Sequence, residues 1–205
     1  MDINLKTLIS KLNDTTRAAA TRAAGICVGL GQYEVDVEHL FLGLIEQPGS
    51  DLAAIARHCD ISLTGLEADL RREVARFATG SARTPVFSRH LPLLFEHAWL
   101  IASLGVGGPP TIRSSHLLLA LLSEPSLAQL AQRASPLFAR FPLDRLKHDL
   151  ERLTRGSVEA PGIAPEVGES GPDAASALAQ SAGRATPALD QYTTCLTARA
   201  RDGKL

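Results

Sequence analysis

Residues 39–48, with the sequence HLFLGLIEQP, and residues 116–125, with the sequence HLLLALLSEP, are two copies of one apolar segment. Both start with a histidine and end at a proline, and the second follows the first by 77 positions. An offset of 80 positions relates residues 65–70 to residues 145–150 in the same way. The chain therefore contains a duplicated unit of about 75 residues, which is longer than most solenoid repeats. We expect two lobes related by a pseudo-twofold axis.

The pattern around these segments predicts helices. Apolar residues recur at every third or fourth position, as on one face of a helix, and the two-residue alternation of strands is not sustained. Residues that cap helices, such as Asn13 and Ser50, and residues that end them, such as Gly31 and Gly80, divide each unit into four helices. The predicted fold class is therefore all-α, with a duplicated four-helix repeat.

An additional helix is predicted at residues 3–12, before the first repeat. Its apolar residues recur three or four positions apart: Leu5, Leu8, Ile9 and Leu12. The second repeat has only a loop at the equivalent place, so this helix either packs into the core or helps to form the wall of a binding groove. The predicted domain covers residues 1–155, with repeat one at about 13–80 and repeat two at about 85–155.

The composition changes after Arg155. In residues 156–187, 21 of 32 residues are Gly, Pro, Ala or Ser, and none is aromatic. Such a segment buries too little apolar surface to offset its ordering entropy, so we predict a flexible linker. Residues 188–205 again place apolar residues at helical spacing, which indicates the start of another structured part.

Charge and hydropathy argue against two classes of partner. The chain has 205 residues and a formal net charge of -1, so it offers no strongly basic surface for nucleic acid. No apolar run approaches the roughly 20 residues that span a membrane, and the N-terminus lacks a signal peptide. We therefore expect a cytoplasmic protein without a membrane partner. Cys27, Cys59 and Cys195 are far apart in sequence and predict reduced thiols.

No set of residues indicates catalysis, a metal or a bound cofactor. The glycine-rich segment 105–110 lacks the strand and the lysine of a phosphate-binding loop. His39 and His116 begin equivalent helices without the spacing of zinc ligands, so we expect them to bond to helix caps or to pack between repeats. Cys59 follows His58 directly, which points the two side chains apart. The alternative from a different class is a small helical enzyme that uses these histidines or Cys59.

These features together resemble the Clp N-terminal domain of AAA+ unfoldases. The histidine-led apolar segment in each repeat and the pair Phe87-Ser88 before the second one are similar to that family's pattern. The first repeat is similar to the ClpV ATPases of bacterial type VI secretion, through residues 8–13, 23–27 and 33–39. Residues 188–205 resemble the lead-in to a first AAA+ module, so we expect them to be its truncated start.

The resemblance implies a protein-binding domain that is not itself an enzyme. A ClpV N-domain recognises an N-terminal helix of the large sheath protein, VipB or TssC, and the attached ATPase ring disassembles the contracted sheath. ATP and Mg²⁺ are implied only for the full-length protein, which forms hexamers through its AAA+ modules; the fragment alone is expected to be a monomer with no cofactor. The alternative is an N-domain of a ClpB- or ClpA-like chaperone that binds unfolded chains or adaptors. Leu12-Asn13, where those domains have Phe-Ser or Phe-Thr, favours ClpV.

The expected binding site is a groove that accepts the partner helix. Small alanines on one wall let the helix approach closely, and large apolar side chains on the other supply the buried area that dominates such sites. The expected groove residues are Leu12, Thr16, Ala19, Ala20 and Ala23 on one side, and Phe87, Ser88 and Leu91 on the other.

Overall fold

A computed structural model of the chain describes residues 5–105 and 110–160. This part is mostly helical, as the sequence predicts. Its helices are α1 (Leu5–Ser10), α2 (Asp14–Gly29), α3 (Val37–Ile45), α4 (Asp51–His58), α5 (Leu63–Val74), α6 (His90–Leu104), α7 (Ser114–Ser123), α8 (Pro125–Ala134) and α9 (Leu143–Leu153). Two short strands, β1 (Glu34–Val35) and β2 (Val86–Phe87), and a 3-10 helix (Pro136–Arg140) complete it. No helix in these residues is long and apolar enough to cross a membrane.

The duplicated four-helix unit is confirmed by the order and spacing of the helices. Helices α2 to α5 form one copy and α6 to α9 form the other. Val37 begins α3 and Ser114 begins α7, which keeps the offset of 77 seen in the sequence. Leu63 begins α5 and Leu143 begins α9, an offset of 80. The 3-10 helix between α8 and α9 accommodates the three additional residues.

The two repeats are joined by a reciprocal exchange of short extended segments. Strand β1, before α3, pairs in parallel with β2, before α6, and the Ser88 amide donates to the Val35 carbonyl at 2.9 Å. Leu12, before α2, makes a parallel bridge to Ile112, before α7, and the Asn13 amide donates to the Ile112 carbonyl at 3.1 Å. Each repeat therefore pairs the start of its first helix with the start of the second helix of the other repeat, as pseudo-twofold symmetry requires.

The core consists of the apolar faces of both repeats. Helix α3 is buried along most of its length and packs against α2, as α7 packs against α6. Phe41 of α3 meets Phe138 of the 3-10 helix edge-on, with ring centroids 5.5 Å apart. This arrangement suits the quadrupoles of the two rings and connects the first repeat to the second through fully buried side chains.

The additional N-terminal helix packs onto α6. Leu8 of α1 is fully buried, whereas Leu5 and Ile9 are partly buried against the core. Lys11, just after α1, lies with its Nζ 5.1 Å from the ring centroid of Trp99 on α6, within range of a cation–π contact. The sequence left open whether this helix packs into the core or forms the wall of a groove. Leu8 packs into the core.

The prediction of a linker starting at residue 156 is wrong for residues 156–160. Ser157 and Glu159 are buried, and the Val158 amide donates to the Gly49 carbonyl at 3.0 Å. This segment follows α9 and is held by hydrogen bonds to the starts of α4 and α7, so the domain extends at least to Ala160. The rest of the predicted linker and the segment 188–205 lie outside the described residues.

Candidate functional site

The parallel strand pair carries a cluster of exposed apolar side chains. Tyr33 is 51% exposed, Val86 is 61% exposed and Phe87 is 40% exposed. All three belong to the same strand pair, since the Val86 amide donates to the Tyr33 carbonyl at 3.1 Å and Phe87 pairs with Val35. We call Tyr33, Val86 and Phe87 the strand-pair surface. An exposed cluster of large apolar groups is typical of a protein-interaction site.

Two grooves lie beside Tyr33, and Val86 lines one of them. One groove of about 430 Å³ is lined by Gln32, Tyr33, Glu34, Asp36, Phe77 and Ala78. A second, of about 480 Å³, is lined by Tyr33, Glu34, Val86 and residues 80–84. These volumes are within the range of sites that accept several side chains or a small ligand. The surface therefore offers both exposed apolar groups and room for the side chains of a partner.

A chain of buried hydrogen bonds fixes the floor of the first groove. Gln32 donates through Nε2 to the Val74 carbonyl at 2.7 Å, and its Oε1 lies 2.7 Å from Nε2 of His39. The other ring nitrogen of His39, Nδ1, accepts from the Asp36 amide at 3.1 Å, so the proton is assigned to Nε2. Burial lowers the pKa of His39 and keeps the ring neutral.

His116 has the same role in the second repeat. Its Nδ1 accepts from the Arg113 amide at 3.2 Å, as the His39 ring accepts from the Asp36 amide. Burial, together with the positive charge of Arg113, lowers the pKa of His116 to about 4. The prediction that both histidines bond to helix caps is confirmed, and it leaves neither ring free for acid–base chemistry near neutral pH.

Asp36 holds the corner between β2 and α6 in place. Its Oδ1 accepts hydrogen bonds from the Val37 amide at 2.8 Å and from the Ser88 hydroxyl at 2.6 Å. Nδ1 of His90 lies 3.0 Å from the same oxygen. Asp36 thus caps α3 and at the same time anchors the residues that follow Phe87, which fixes the direction in which the strand-pair surface leads into α6.

Six of the eight groove residues expected from the sequence are buried in this structure. They are Leu12, Thr16, Ala19, Ala23, Ser88 and Leu91. Thr16 donates to the Ile112 carbonyl at 3.0 Å, and Ala19 lies against Gly43 of α3. The small side chains of α2 therefore accommodate α3, and the expectation that these six side chains line an open surface is wrong. Ala20 is partly buried and Phe87 is exposed, so their part in binding stays a prediction.

The expected groove also combines residues that the structure separates into two strand pairings. Leu12 pairs with Ile112, whereas Phe87 pairs with Val35. The residues that sequence reasoning missed are Tyr33 and Phe77, which line the first groove together. Tyr33 carries a weak signal, since it is a large aromatic residue in a segment that connects predicted helices, whereas Phe77 was expected at the end of a helix that in the structure stops at Val74.

Glu38 is an unusual buried carboxyl group beneath this region. Its side chain is 4% exposed, and Oε2 has no hydrogen-bond partner among the described residues. Burial is the main cause that raises the pKa of Glu38 to about 7, with further contributions from Asp36 and Glu73; Arg133 opposes them. The folded domain therefore favours the protonated carboxyl, and ionisation above neutral pH places an uncompensated charge in the interior.

Replacing Glu38 with glutamine is expected to stabilise the domain at high pH. The folded pKa lies above the ordinary value, so the stability associated with the protonated group is present below about pH 4.5 and is lost as the pH rises through 7. We expect Glu38→Gln to raise the free energy of unfolding by on the order of 2–3 kcal/mol at pH 8.5 and by little at pH 4.5. Urea unfolding at both pH values measures this, and an equal difference at the two values would contradict it.

The described residues contain no grouping of three or more His, Cys, Asp or Glu that could hold a metal ion. Burial raises the pKa of the Cys59 thiol, which keeps it protonated and a poor nucleophile. His58, its neighbour, directs Nδ1 toward the Ala54 carbonyl at 2.9 Å. His58 and Cys59 therefore do not form a nucleophile–base pair.

Comparison with known proteins supports a binding domain. Residues 11–105 match the family of Clp repeat N-terminal domains. The whole chain is 33% identical over 207 residues to the chaperone protein ClpB of Yersinia enterocolitica and 31% identical over 214 residues to the AAA+ ATPase ClpV1 of Pseudomonas aeruginosa. In both cases the alignment covers 100% of this chain but only 23% of the relative. The chain therefore spans about a quarter of the length of these curated relatives.

Two solved structures of ClpV N-domains are similar to the described domain. The N-domain of ClpV from Vibrio cholerae has a TM-score of 0.69 at 26% identity and covers 78% of this chain and 94% of its own. A complex of the ClpV N-domain with a VipB peptide has a TM-score of 0.66 at 25% identity, covering 78% and 96%.

The fold and its exposed apolar surface thus define a protein-binding module of the Clp repeat class, the non-catalytic N-domain of AAA+ proteins. More narrowly, the chain is homologous to the N-domains of ClpV ATPases and to the N-terminal regions of ClpV1 and ClpB.

Proposed function

We propose that this domain recognises a helical N-terminal segment of the large type VI sheath subunit, VipB or TssC. The observation that carries the proposal is the similarity of the domain to a ClpV N-domain in complex with a VipB peptide. The strand-pair surface supplies what such recognition requires, which is exposed apolar groups beside grooves. The amphipathic helix of a partner binds such a surface through side chains spaced three or four residues apart.

The full-length protein is, in this proposal, a cytoplasmic ATP-driven unfoldase. Its AAA+ modules bind ATP and Mg²⁺, assemble into a hexamer and disassemble the contracted sheath after the N-domain has bound it. The N-domain itself binds without a cofactor and is a monomer when it is isolated. Its contribution is selective delivery of the client to the ring, which a binding surface accomplishes without chemistry.

Phe87 is expected to be the main apolar anchor. It is the largest exposed side chain of β2, and truncating a large anchor at an interface typically weakens binding more than truncating its neighbours. We expect Phe87→Ala to weaken binding of a fluorescent N-terminal sheath peptide at least tenfold, about 1.4 kcal/mol, and Tyr33→Ala to weaken it less. Fluorescence anisotropy titrations measure both affinities.

The matched control is Leu100→Ala on α6. Leu100 is also a large exposed apolar residue, 56% exposed, but it does not belong to the strand-pair surface. The proposal expects no change in affinity for this variant and no binding of a scrambled peptide. Tight binding that is unaffected by Phe87→Ala would support the sheath subunit as the client but would place the binding site elsewhere on the domain. Equal binding of unrelated unfolded chains would instead favour a general chaperone domain of the ClpB type.

A further inference from the structure

Residues 156–160, which follow α9, are attached to the helices mainly by polar contacts, and we call them the strap. The two buried side chains of the strap, Ser157 and Glu159, are both polar. Val158 is its largest apolar side chain and is 62% exposed. The strap therefore gains little from apolar burial, and its attachment rests on its hydrogen bonds.

The strap spans one of the two places where the repeats are joined. We call the pairing of β1 with β2 the first joint and the bridge between Leu12 and Ile112 the second joint. Oε2 of Glu159 accepts a hydrogen bond from Nδ2 of Asn13 and another from the Ser114 amide, both at 2.8 Å. Asn13 directly follows Leu12, and Ser114 lies two residues after Ile112. One carboxylate of the strap thus connects the two sides of the second joint.

The strap also holds the start of α4. Oε1 of Glu159 accepts from the Asp51 amide at 2.8 Å, and the Ser157 hydroxyl donates to the Asp51 carboxylate. That carboxylate has a second partner outside the strap, because the guanidinium group of Arg113 donates to it at 2.7 Å. Release of the strap therefore leaves no buried charge unpaired. It exposes amides at the starts of two helices, α4 and α7, where water replaces the lost acceptor.

The first joint is held differently. Asp36, which lies between β1 and α3, accepts from the Ser88 hydroxyl at 2.6 Å and so fastens the end of β2. Asp36 belongs to the helical body of the first repeat, whereas Glu159 lies beyond the last helix of the second repeat. The two joints are related by the pseudo-twofold axis, but only the second depends on the strap.

We propose that the strap detaches as a unit while the helices stay folded, and that its detachment loosens the second joint and leaves the first intact. Segments with few buried apolar contacts open at the lowest free energy, and the strap is such a segment. Residues 161–205 follow it in the sequence, so a pull along the chain reaches the strap before it reaches α9.

Detachment changes the reach of the domain as well as its internal joint. The five residues of the strap add up to about 17 Å to the tether between the helices and the rest of the chain. The strand-pair surface lies at the first joint, so it keeps its form whether the strap is attached or detached. The inference therefore does not depend on the client that the domain binds.

Hydrogen exchange of the full 205-residue chain tests the detachment, measured for each amide by NMR at urea concentrations below the unfolding transition. The amides of Asp51, Ser114 and Val158 report on the strap, because each takes part in one of its hydrogen bonds. The amide of Leu44, in the buried helix α3, reports on global unfolding. We expect the strap amides to exchange at rates that hardly depend on urea, since detachment exposes little surface, and the Leu44 rate to rise steeply.

Two results of this experiment would overturn the inference. An equally steep urea dependence for the strap amides and for Leu44 would mean that the strap leaves only when the whole domain unfolds. Strap amides that exchange as fast as those of an unfolded peptide would mean that the strap is not attached in solution.

Two variants weaken the attachment without shortening the chain. Glu159→Gln removes the charge that the helix starts bind, and Ser157→Ala removes the hydroxyl that Asp51 binds. We expect each variant to accelerate exchange of the Asp51 and Ser114 amides at least about tenfold, because a hydrogen bond to a charged group is lost. The matched control is Glu151→Gln on α9, which changes the same charge at an exposed position and should leave these rates unchanged.

The same variants distinguish the two joints. The Asn13 amide donates to the Ile112 carbonyl and reports on the second joint, and the Ser88 amide donates to the Val35 carbonyl and reports on the first. We expect exchange of the Asn13 amide to accelerate about threefold or more and that of the Ser88 amide to change less than about twofold. Equal acceleration of both amides would overturn the inference, because the variants would then loosen the domain as a whole.

Discussion

Substituting Gly43 with alanine is expected to destabilise the domain by about 2–4 kcal/mol. Gly43 lies in α3, and a Cβ atom built on it would be 2.4 Å from the carbonyl oxygen of Ala19 and 3.1 Å from its carbonyl carbon. The obstacle is backbone of α2, which cannot rotate away as a side chain can. The two helices must therefore move apart, and the buried faces around Phe41 lose contact with their neighbours.

The matched control for this substitution is Gly25→Ala. Gly25 is also within a helix, α2, but nothing lies within 4 Å of the position of its added Cβ. Alanine is the better helix former, so this variant should gain up to about 1 kcal/mol. Thermal unfolding measures both, and we expect Gly43→Ala to lower Tm by about 5–15 °C and Gly25→Ala to raise it slightly. A stabilised Gly43→Ala variant would show that α2 and α3 are not in close contact.

The architecture of this domain could be predicted from the sequence because its repeats bury the same pattern twice. The segments 39–48 and 116–125 both became fully packed helices, α3 and α7. Caps also predicted helix starts well, since Asn13 accepts from the Thr16 amide at 2.9 Å and Ser50 from the Ala53 amide at 3.3 Å. Local hydrogen bonds and helical periodicity are properties of short sequence windows, which explains why these predictions succeeded.

The groove could not be predicted in the same way because small residues have two uses. Alanines on α2 permit the close approach of any helix, and the sequence does not say whether that helix belongs to a partner or to the domain. In the structure it is α3, through Ala19 and Gly43. The equivalent of Gly43 in the second repeat is Ala120, so comparing the repeats does not reveal this close approach either. Of the expected groove residues only Phe87 is exposed, and Ala20 is partly buried.

The end of the domain was missed for a related reason. Residues 156–160 resemble the linker that follows them in composition, and they contain no helical pattern. The side chain of Glu159 holds them through partners that are 45 to 146 positions away in sequence, and Ser157 and Val158 bond to residues about as distant. Contacts over such distances leave no trace in a local window, so composition alone indicated a linker.

Removing the side chain of Glu159 is expected to destabilise the domain by about 3–5 kcal/mol. Its Oε1 accepts from the Asp51 amide, which begins α4, and its Oε2 accepts from the Ser114 amide, which begins α7, both at 2.8 Å. Asn13, which caps α2, donates to Oε2 at 2.8 Å. One carboxylate thus satisfies donors at the starts of three helices in both repeats, and Glu159→Ala leaves these buried groups without an acceptor.

The matched control for Glu159→Ala is Glu151→Ala on α9, which removes the same charge from an exposed position and should change stability by less than about 0.5 kcal/mol. A chain that ends at Arg155 should unfold at nearly the same urea concentration as Glu159→Ala, because both lose the same cap. Urea unfolding of the four proteins measures these differences. If the shortened chain is as stable as the full chain, residues 156–160 do not belong to the domain. If it is much less stable than Glu159→Ala, the neighbouring contacts of Ser157 and Val158 contribute more than the carboxylate does.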